Sequence, residues 1–434
     1  RTAVAASAIT VGEVLRLRGG LEAALVAYQR FVATFAALTQ HDPANVDWQA
    51  AHALGLVRVG GLHQRRGDVQ AAADAYEQGL VVRQALVDHA PENQAALREL
   101  GDSFDRLGFL AADRGALREA IARLRQGLEV TRRLSALDPA QSLYVDDVCN
   151  SLGNISELER RQGLATASLV TAREALAAAQ LADQQATTLR RRRQLGKTWT
   201  HVGESLFADG QHAAGMAAYR EAQAIDEAMV AAHPDDGDAH RELAGVLETL
   251  VERGTAAKPS VALAERAVAV RRAIVATAPD ELLDHHQLSY GLLVLANAAM
   301  KAGDGDAAQR ASHEASTIAV ALSAREPDNL TWAQQVMQAA GVDGDIALER
   351  GLRPQALAAF QTAVDIAAGV LATDERVDAK VQAATYRVKL ARLSAAPRRT
   401  ELIAIARRDL EALAQAGVLT AEGRTLLADI RAGR

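Results

Sequence analysis

Cysteine is almost missing from this 434-residue chain, where Cys149 stands alone. One thiol builds no internal disulfide and no cysteine-rich metal site. That usage fits a reducing compartment, so the cytoplasm is the expected location, with the periplasm as the alternative. Aromatic residues are only 3% of the chain, and the β-branched, aromatic runs that strands prefer are lacking. No run of 18 apolar residues occurs, so no membrane-spanning segment is expected. Lysine is confined to Lys197, Lys258, Lys301, Lys380 and Lys389, and the net charge is −6. A nucleic-acid footprint calls for a basic domain, so nucleic acid is not an expected partner. The chain opens at Arg1, not methionine, without the basic, apolar, small-residue order of a signal peptide. It reads as a piece of a longer protein.

What the chain has is alanine, arginine and a ladder of glycines. Gly19, Gly67, Gly115, Gly163, Gly210, Gly254, Gly303 and Gly351 recur at steps of 48, 48, 48, 47, 44, 49 and 48. Pro43, Pro91, Pro139, Pro234, Pro279 and Pro327 follow, mostly 24 residues after the matching glycine. A fixed period of this size marks stacked copies of one supersecondary unit. In the second unit, Trp48 to Arg66 reads as a helix that Gly67 stops. A second helix follows with Ala72, Tyr76, Gly79 and Leu86 on one stripe, and Pro91 cannot continue it. Small residues stand seven before the turn at Gly12, Gly60, Gly108, Ser156, Gly203, Ala296 and Gly344. Nine after it stand Tyr28, Tyr76, Leu124, Ala172, Tyr219, Ser312 and Phe360. Small residues on both helices let the backbones close up, and a larger side chain fills the space beside them.

These columns resemble the tetratricopeptide repeat. That family orders a small residue, a turn glycine, an alanine, an aromatic, a second small residue and a proline in this way. Its unit is about 34 residues, so each unit here is longer by about 14. The added length divides equally between the two helices, about two turns each, which preserves the phase of the facing surfaces. The resemblance implies an all-α, right-handed α-solenoid of eight to nine helical hairpins plus a C-terminal capping helix. The expected layout is a single domain over 1–434, with turns near 19, 67, 115, 163, 210, 254, 303, 351 and 397 and a cap over 420–434. The sixth unit is three residues short, and the ninth replaces its glycine turn with Ala396-Pro397.

Several motifs invite a chemical reading. Gly196-Lys197-Thr198 echoes the end of a phosphate-binding loop, but Arg191 stands where that motif needs glycine and the segment reads as mid-helix. Gly196 shares a column with Gly101, Cys149 and Ser289, which reads as packing. Cys149 itself reads as a buried, inert thiol. His285 and His286 are adjacent, about 100° apart on a helix, and cannot readily hold one metal. No catalytic set and no metal or cofactor site is expected. Arg190 to Arg193 form the sharpest charge cluster; Lys197 lies one turn beyond Arg193.

In the resembled family the first helix of each pair lines the concave surface, and a carboxylate clamp uses lysine, asparagine and arginine there. The clamp positions fall on Asp105 and Phe109, Asn154, then Lys197 and His201; only the last three partly match. The column nine before the turn reads Arg58, Arg106, Asn154 and His201. The expected partner-binding groove is therefore Arg58, Arg106, Asn154, Arg193, Lys197 and His201, suited to an acidic or carboxylate-bearing segment. The expected function is a non-catalytic scaffold that binds a peptide or partner helix. The alternative is a sensor arm of a bacterial signalling protein. Segments such as His41-Asp42-Pro43-Ala44-Asn45 are similar to arrays joined to kinase, caspase-like or nucleotide-switch domains, which would then precede Arg1. A second copy of the chain, stacked at an open end, is a further candidate partner.

Overall fold

A computed structural model describes residues 2–17, 21–66, 68–138, 141–254, 257–327, 329–371 and 377–433. The described residues form nineteen α-helices and no strand. Their contacts fall into two compact units, 1–185 and 186–434. The first holds α1 (Thr2–Leu17), α2 (Leu21–His41), α3 (Val46–Arg65), α4 (Val69–His89), α5 (Gln94–Asp113), α6 (Leu117–Leu137), α7 (Ser142–Gln162) and α8 (Ala165–Gln185). The second runs through α9 (Leu189–Ala208), α10 (His212–Ala232), α11 (Gly237–Arg253), α12 (Ala257–Thr277), α13 (Leu282–Lys301) and α14 (Gly305–Arg325). It ends with α15 (Leu330–Glu349), α16 (Arg353–Leu371), α17 (Val377–Leu393), α18 (Ala396–Gln415) and α19 (Ala421–Arg431). Within each unit every helix packs on the next, and α11 with α13 and α13 with α15 also touch as first-of-pair neighbours. The architecture is an all-α solenoid of helical hairpins.

The glycine and aromatic columns meet face to face. A β-carbon placed on Gly60 would lie 2.6 Å from the Tyr76 ring; on Gly108, 2.8 Å from Leu124; on Gly203, 3.0 Å from Tyr219; on Gly344, 2.5 Å from Phe360. The missing side chain is what lets each ring seat against the partner backbone, and Tyr76, Tyr219 and Phe360 are fully buried there. In the fourth unit Ser156 and Ser168 replace this contact with a hydroxyl pair 3.0 Å apart.

Turns and prolines divide the labour of ending helices. Gly115, Gly163, Gly210, Gly303 and Gly351 take positive φ between 73° and 85°, a conformation costly for residues with a β-carbon. Around Gly115, the Gly115 N–H donates to Ala112 O and the Ala116 N–H to Ala111 O, both at 2.9 Å, closing the helix end. Gly19, Gly67 and Pro139 lie outside the described residues. Gly254 differs: its φ is −71°, and it caps α11 in an extended conformation. Counting back from α12 puts the turn column at position 255, outside the described residues, so the three-residue deficit falls entirely within α11. Where a proline follows the second helix of a pair, the residue two beyond it takes the N-cap position of the next pair, and Asn45, Asn93, Asp236 and Asn329 cap there with their side chains. Asn45 accepts from the Trp48 N–H and Asn93 from the Ala96 N–H, each at 3.1 Å.

Among the described residues one helix, α2, is long and apolar enough by length and composition to cross a membrane. Here it is the second helix of a hairpin, with Ala24, Tyr28, Phe31 and Phe35 buried against its neighbours.

Candidate functional site

In the first unit, α5 and α7 present a groove over α6. Leu97, Gly101, Asp102 and Asp105 come from α5, Thr131 and Leu134 from α6, and Asp147, Asn150 and Asn154 from α7; the cavity holds about 200 Å³. Asn150 and Asn154 are one turn apart on α7, and neither side chain has a hydrogen-bond partner among the described residues. Each offers a donor and an acceptor to whatever enters. Asp105 is pressed toward Gly127, where a β-carbon would stand 2.8 Å from its Oδ1. That oxygen is buried without a hydrogen bond. Burial, then the charges of Asp102 and Asp147, push the Asp105 carboxyl up to about 7, against the pull of Arg106.

In the second unit, α9 and α11 carry a denser charge cluster. Arg193 donates to both oxygens of Asp236 at 3.0 and 2.9 Å and stands 3.3 Å from Glu242. Lys197 Nζ lies 3.1 Å from the other oxygen of Glu242. Beneath them Asp226 of α10 is 2% exposed, 2.8 Å from where a Gly196 β-carbon would be. Burial, followed by the Glu242 charge, pushes Asp226 up to about 7, while Lys197 and Arg193 oppose. Burial likewise raises Glu242 above its usual value, with Lys197 and Arg193 acting the other way.

The six residues singled out by sequence divide accordingly. Arg58 lies 3.2 Å from Glu13 of α1. Arg106 donates to Asp102 at 2.8 Å. Asn154 faces the α5–α7 groove. Arg193 and Lys197 come together on Glu242, and His201, two turns from Arg193 on the same helix, is half-buried. Every cation of the row thus has a carboxylate of this chain beside it. Sequence reasoning passed over Asn150, Asp147 and Asp226. For Asp226 a signal existed: the column sixteen after the turn reads Phe35, Arg83, Thr131, Ala179, Asp226, Arg271, Ala319 and Ala367, so charge recurs at three places in a column otherwise held by Phe, Thr and Ala.

The other motifs serve packing. Gly196 lies inside α9, with Asp226 above it. Cys149 is fully buried, its Sγ 3.6 Å from Ala175 O. His285 bonds the Pro279 carbonyl at 2.9 Å, and His286 packs in a tilted ring contact against Trp332, centroids 5.1 Å apart. Among the described residues no group of three or more His, Cys, Asp or Glu side chains is arranged to hold a metal.

The fold is similar to that of the apo form of RapI, with 96% of this chain and 99% of that chain covered at a TM-score of 0.52 and 11% identity. This chain has a tetratricopeptide-type repeat fold. Similar TPR-type structures include a Rap protein complexed with competence and sporulation factor, covering 93% here and 100% of that chain (TM-score 0.42, 11% identity). A tetratricopeptide repeat protein from Parabacteroides merdae ATCC 43184 covers 77% here and 98% of that chain (TM-score 0.39, 12% identity). No family profile and no curated protein matches the sequence.

Proposed function

We propose that this TPR-type chain is a non-catalytic interaction scaffold, and that the α5–α7 groove holds an extended peptide segment. The observation that supports it is the pair Asn150 and Asn154, unpartnered and one turn apart over a cavity of about 200 Å³. Two such amides pair with a peptide's N–H and C=O groups without regard to its side chains. Side-chain preference then comes from Asp102, Asp105 and Asp147, which favour a basic residue. An acidic partner fits this groove less well, since three carboxylates face the space against one lining cation, the exposed Arg98.

The test is selection of random peptides on the intact chain, followed by fluorescence anisotropy with the enriched sequences. Asn154→Ala and Asp105→Asn are each expected to weaken binding by ten-fold or more, with the helical circular-dichroism spectrum unchanged. Enrichment of acidic sequences, or equal binding by both variants, overturns the reading.

A further inference from the structure

The shortened sixth unit leaves a second, separate cavity. First-of-pair helices α9 and α13 are 20 residues long, whereas α11 has 17. At about 1.5 Å per residue, α11 stops roughly 4.5 Å short of its neighbours' reach. The space beyond its end is a pocket of about 670 Å³ between the ends of α9 and α11 and the starts of α10 and α12. That lies within the range of small-molecule sites. Its apolar surface comes from Phe207, Met216, Leu250 and Leu263.

Phe207 is fixed where it stands. Gly215 has no side chain to displace the ring, which would lie 2.5 Å from a β-carbon there. Arg253 covers the ring at 5.4 Å from its centroid and pairs with Glu204 at 3.0 Å. Glu252 accepts from the Tyr290 hydroxyl at 2.7 Å. The lining charges Arg253 and Glu252 are thus both engaged. Arg220 is not: it lines the pocket, is exposed, and has no partner among the described residues. His212, tilted against Phe207 with ring centroids 5.2 Å apart, likewise has no hydrogen-bond partner among the described residues.

We infer that this pocket binds a small organic carboxylate with an apolar body, its chain or ring against Phe207, Met216, Leu250 and Leu263 and its anionic end at Arg220. An apolar wall with one uncompensated cation at its rim selects that combination over a neutral or cationic amphiphile. The site is independent of the peptide groove, so Asn154→Ala leaves it intact.

The experiment uses the intact chain with 1-anilinonaphthalene-8-sulfonate as fluorescent probe, displaced by decanoate, decylamine or decanol. Decanoate is expected to displace the probe at concentrations at least ten-fold below decylamine. Arg220→Glu, at an exposed position, should erase that preference while leaving decanol unchanged. Ala213→Trp, which fills the pocket, should abolish the decanoate-sensitive signal with the melting profile retained. Equal displacement by decylamine, or an unchanged preference in Arg220→Glu, overturns the proposal; both readings stand even where Ala213→Trp fails to fold. Competition by an acidic peptide but not by decanoate also overturns it, in favour of a peptide site.

Discussion

At the scale of single residues, a glycine in this chain has one of two opposite meanings, and its surroundings decide which. Gly344 faces Phe360, so an added methyl group would collide with the ring at 2.5 Å. Gly344→Ala is expected to cost about 1–3 kcal/mol through forced repacking. Gly369 lies on the exposed side of α16 with nothing within 4 Å, and Gly369→Ala should stabilise by roughly 0.5–1 kcal/mol through helix propensity alone. Urea midpoints moving in the same direction for both would refute the assignment. Asp226 supplies a pH signature. Burial and Glu242 hold its carboxyl at about 7 in the folded chain, while the unfolded chain ionises it near the usual ~4. Between these values the folded state carries the extra proton. Its contribution is present below about pH 4 and is lost as pH rises toward 7. Asp226→Asn should therefore melt higher than the parent at pH 8 and close to it at pH 4; the reverse order would show Asp226 to be stabilised as an anion. The columns of small and aromatic residues were legible because packing repeats. Asn150 and Asp147 were not, because the meaning of each depends on neighbours from other helices; Asp226 left only the trace of a column where charge replaces alanine.

At the scale of elements, the instructive case is the α11–α12 hairpin. The 44-residue step located its irregularity, and Gly254 was the natural choice for its turn, yet that glycine has φ −71° and caps α11. Glycine identity alone does not distinguish a left-handed turn from an extended cap; the register of α12 does. The same hairpin holds a buried ion pair. Arg271 donates to Glu248 through Nε at 3.0 Å and Nη2 at 2.8 Å, and both residues are nearly inaccessible. Burial raises the Glu248 carboxyl even though Arg271 pulls it down, the mark of a pair whose desolvation offsets much of its attraction. Glu248→Gln leaves the guanidinium without a counter-charge and is expected to cost about 3–5 kcal/mol. Replacing both partners, as Glu248→Leu with Arg271→Met, should recover most of that loss. Thermal melts of the single and double variants check this; a double variant no better than the single would mean that the pair itself, not its balance, holds α11 to α12.

At the scale of the whole molecule, stability is assembled from neighbour to neighbour. Within each compact unit, each hairpin buries its face on the next, so its stability is shared out locally. The C-terminal end is closed by α19, whose Leu427 and Ile430 join Val381, Val388 and Leu410 in one buried cluster. Because contacts are local and residues 186–434 form a compact unit, that segment should fold when expressed alone. It contains every element around the α9–α12 pocket, so it should also bind 1-anilinonaphthalene-8-sulfonate with the affinity of the intact chain and keep the decanoate preference. The α5–α7 groove belongs to 1–185, and peptides selected on the intact chain should not bind the 186–434 segment. A segment that melts without cooperativity, or loses the probe while remaining helical, would show that the pocket depends on residues outside its own unit and that nearest-neighbour packing does not suffice to build it.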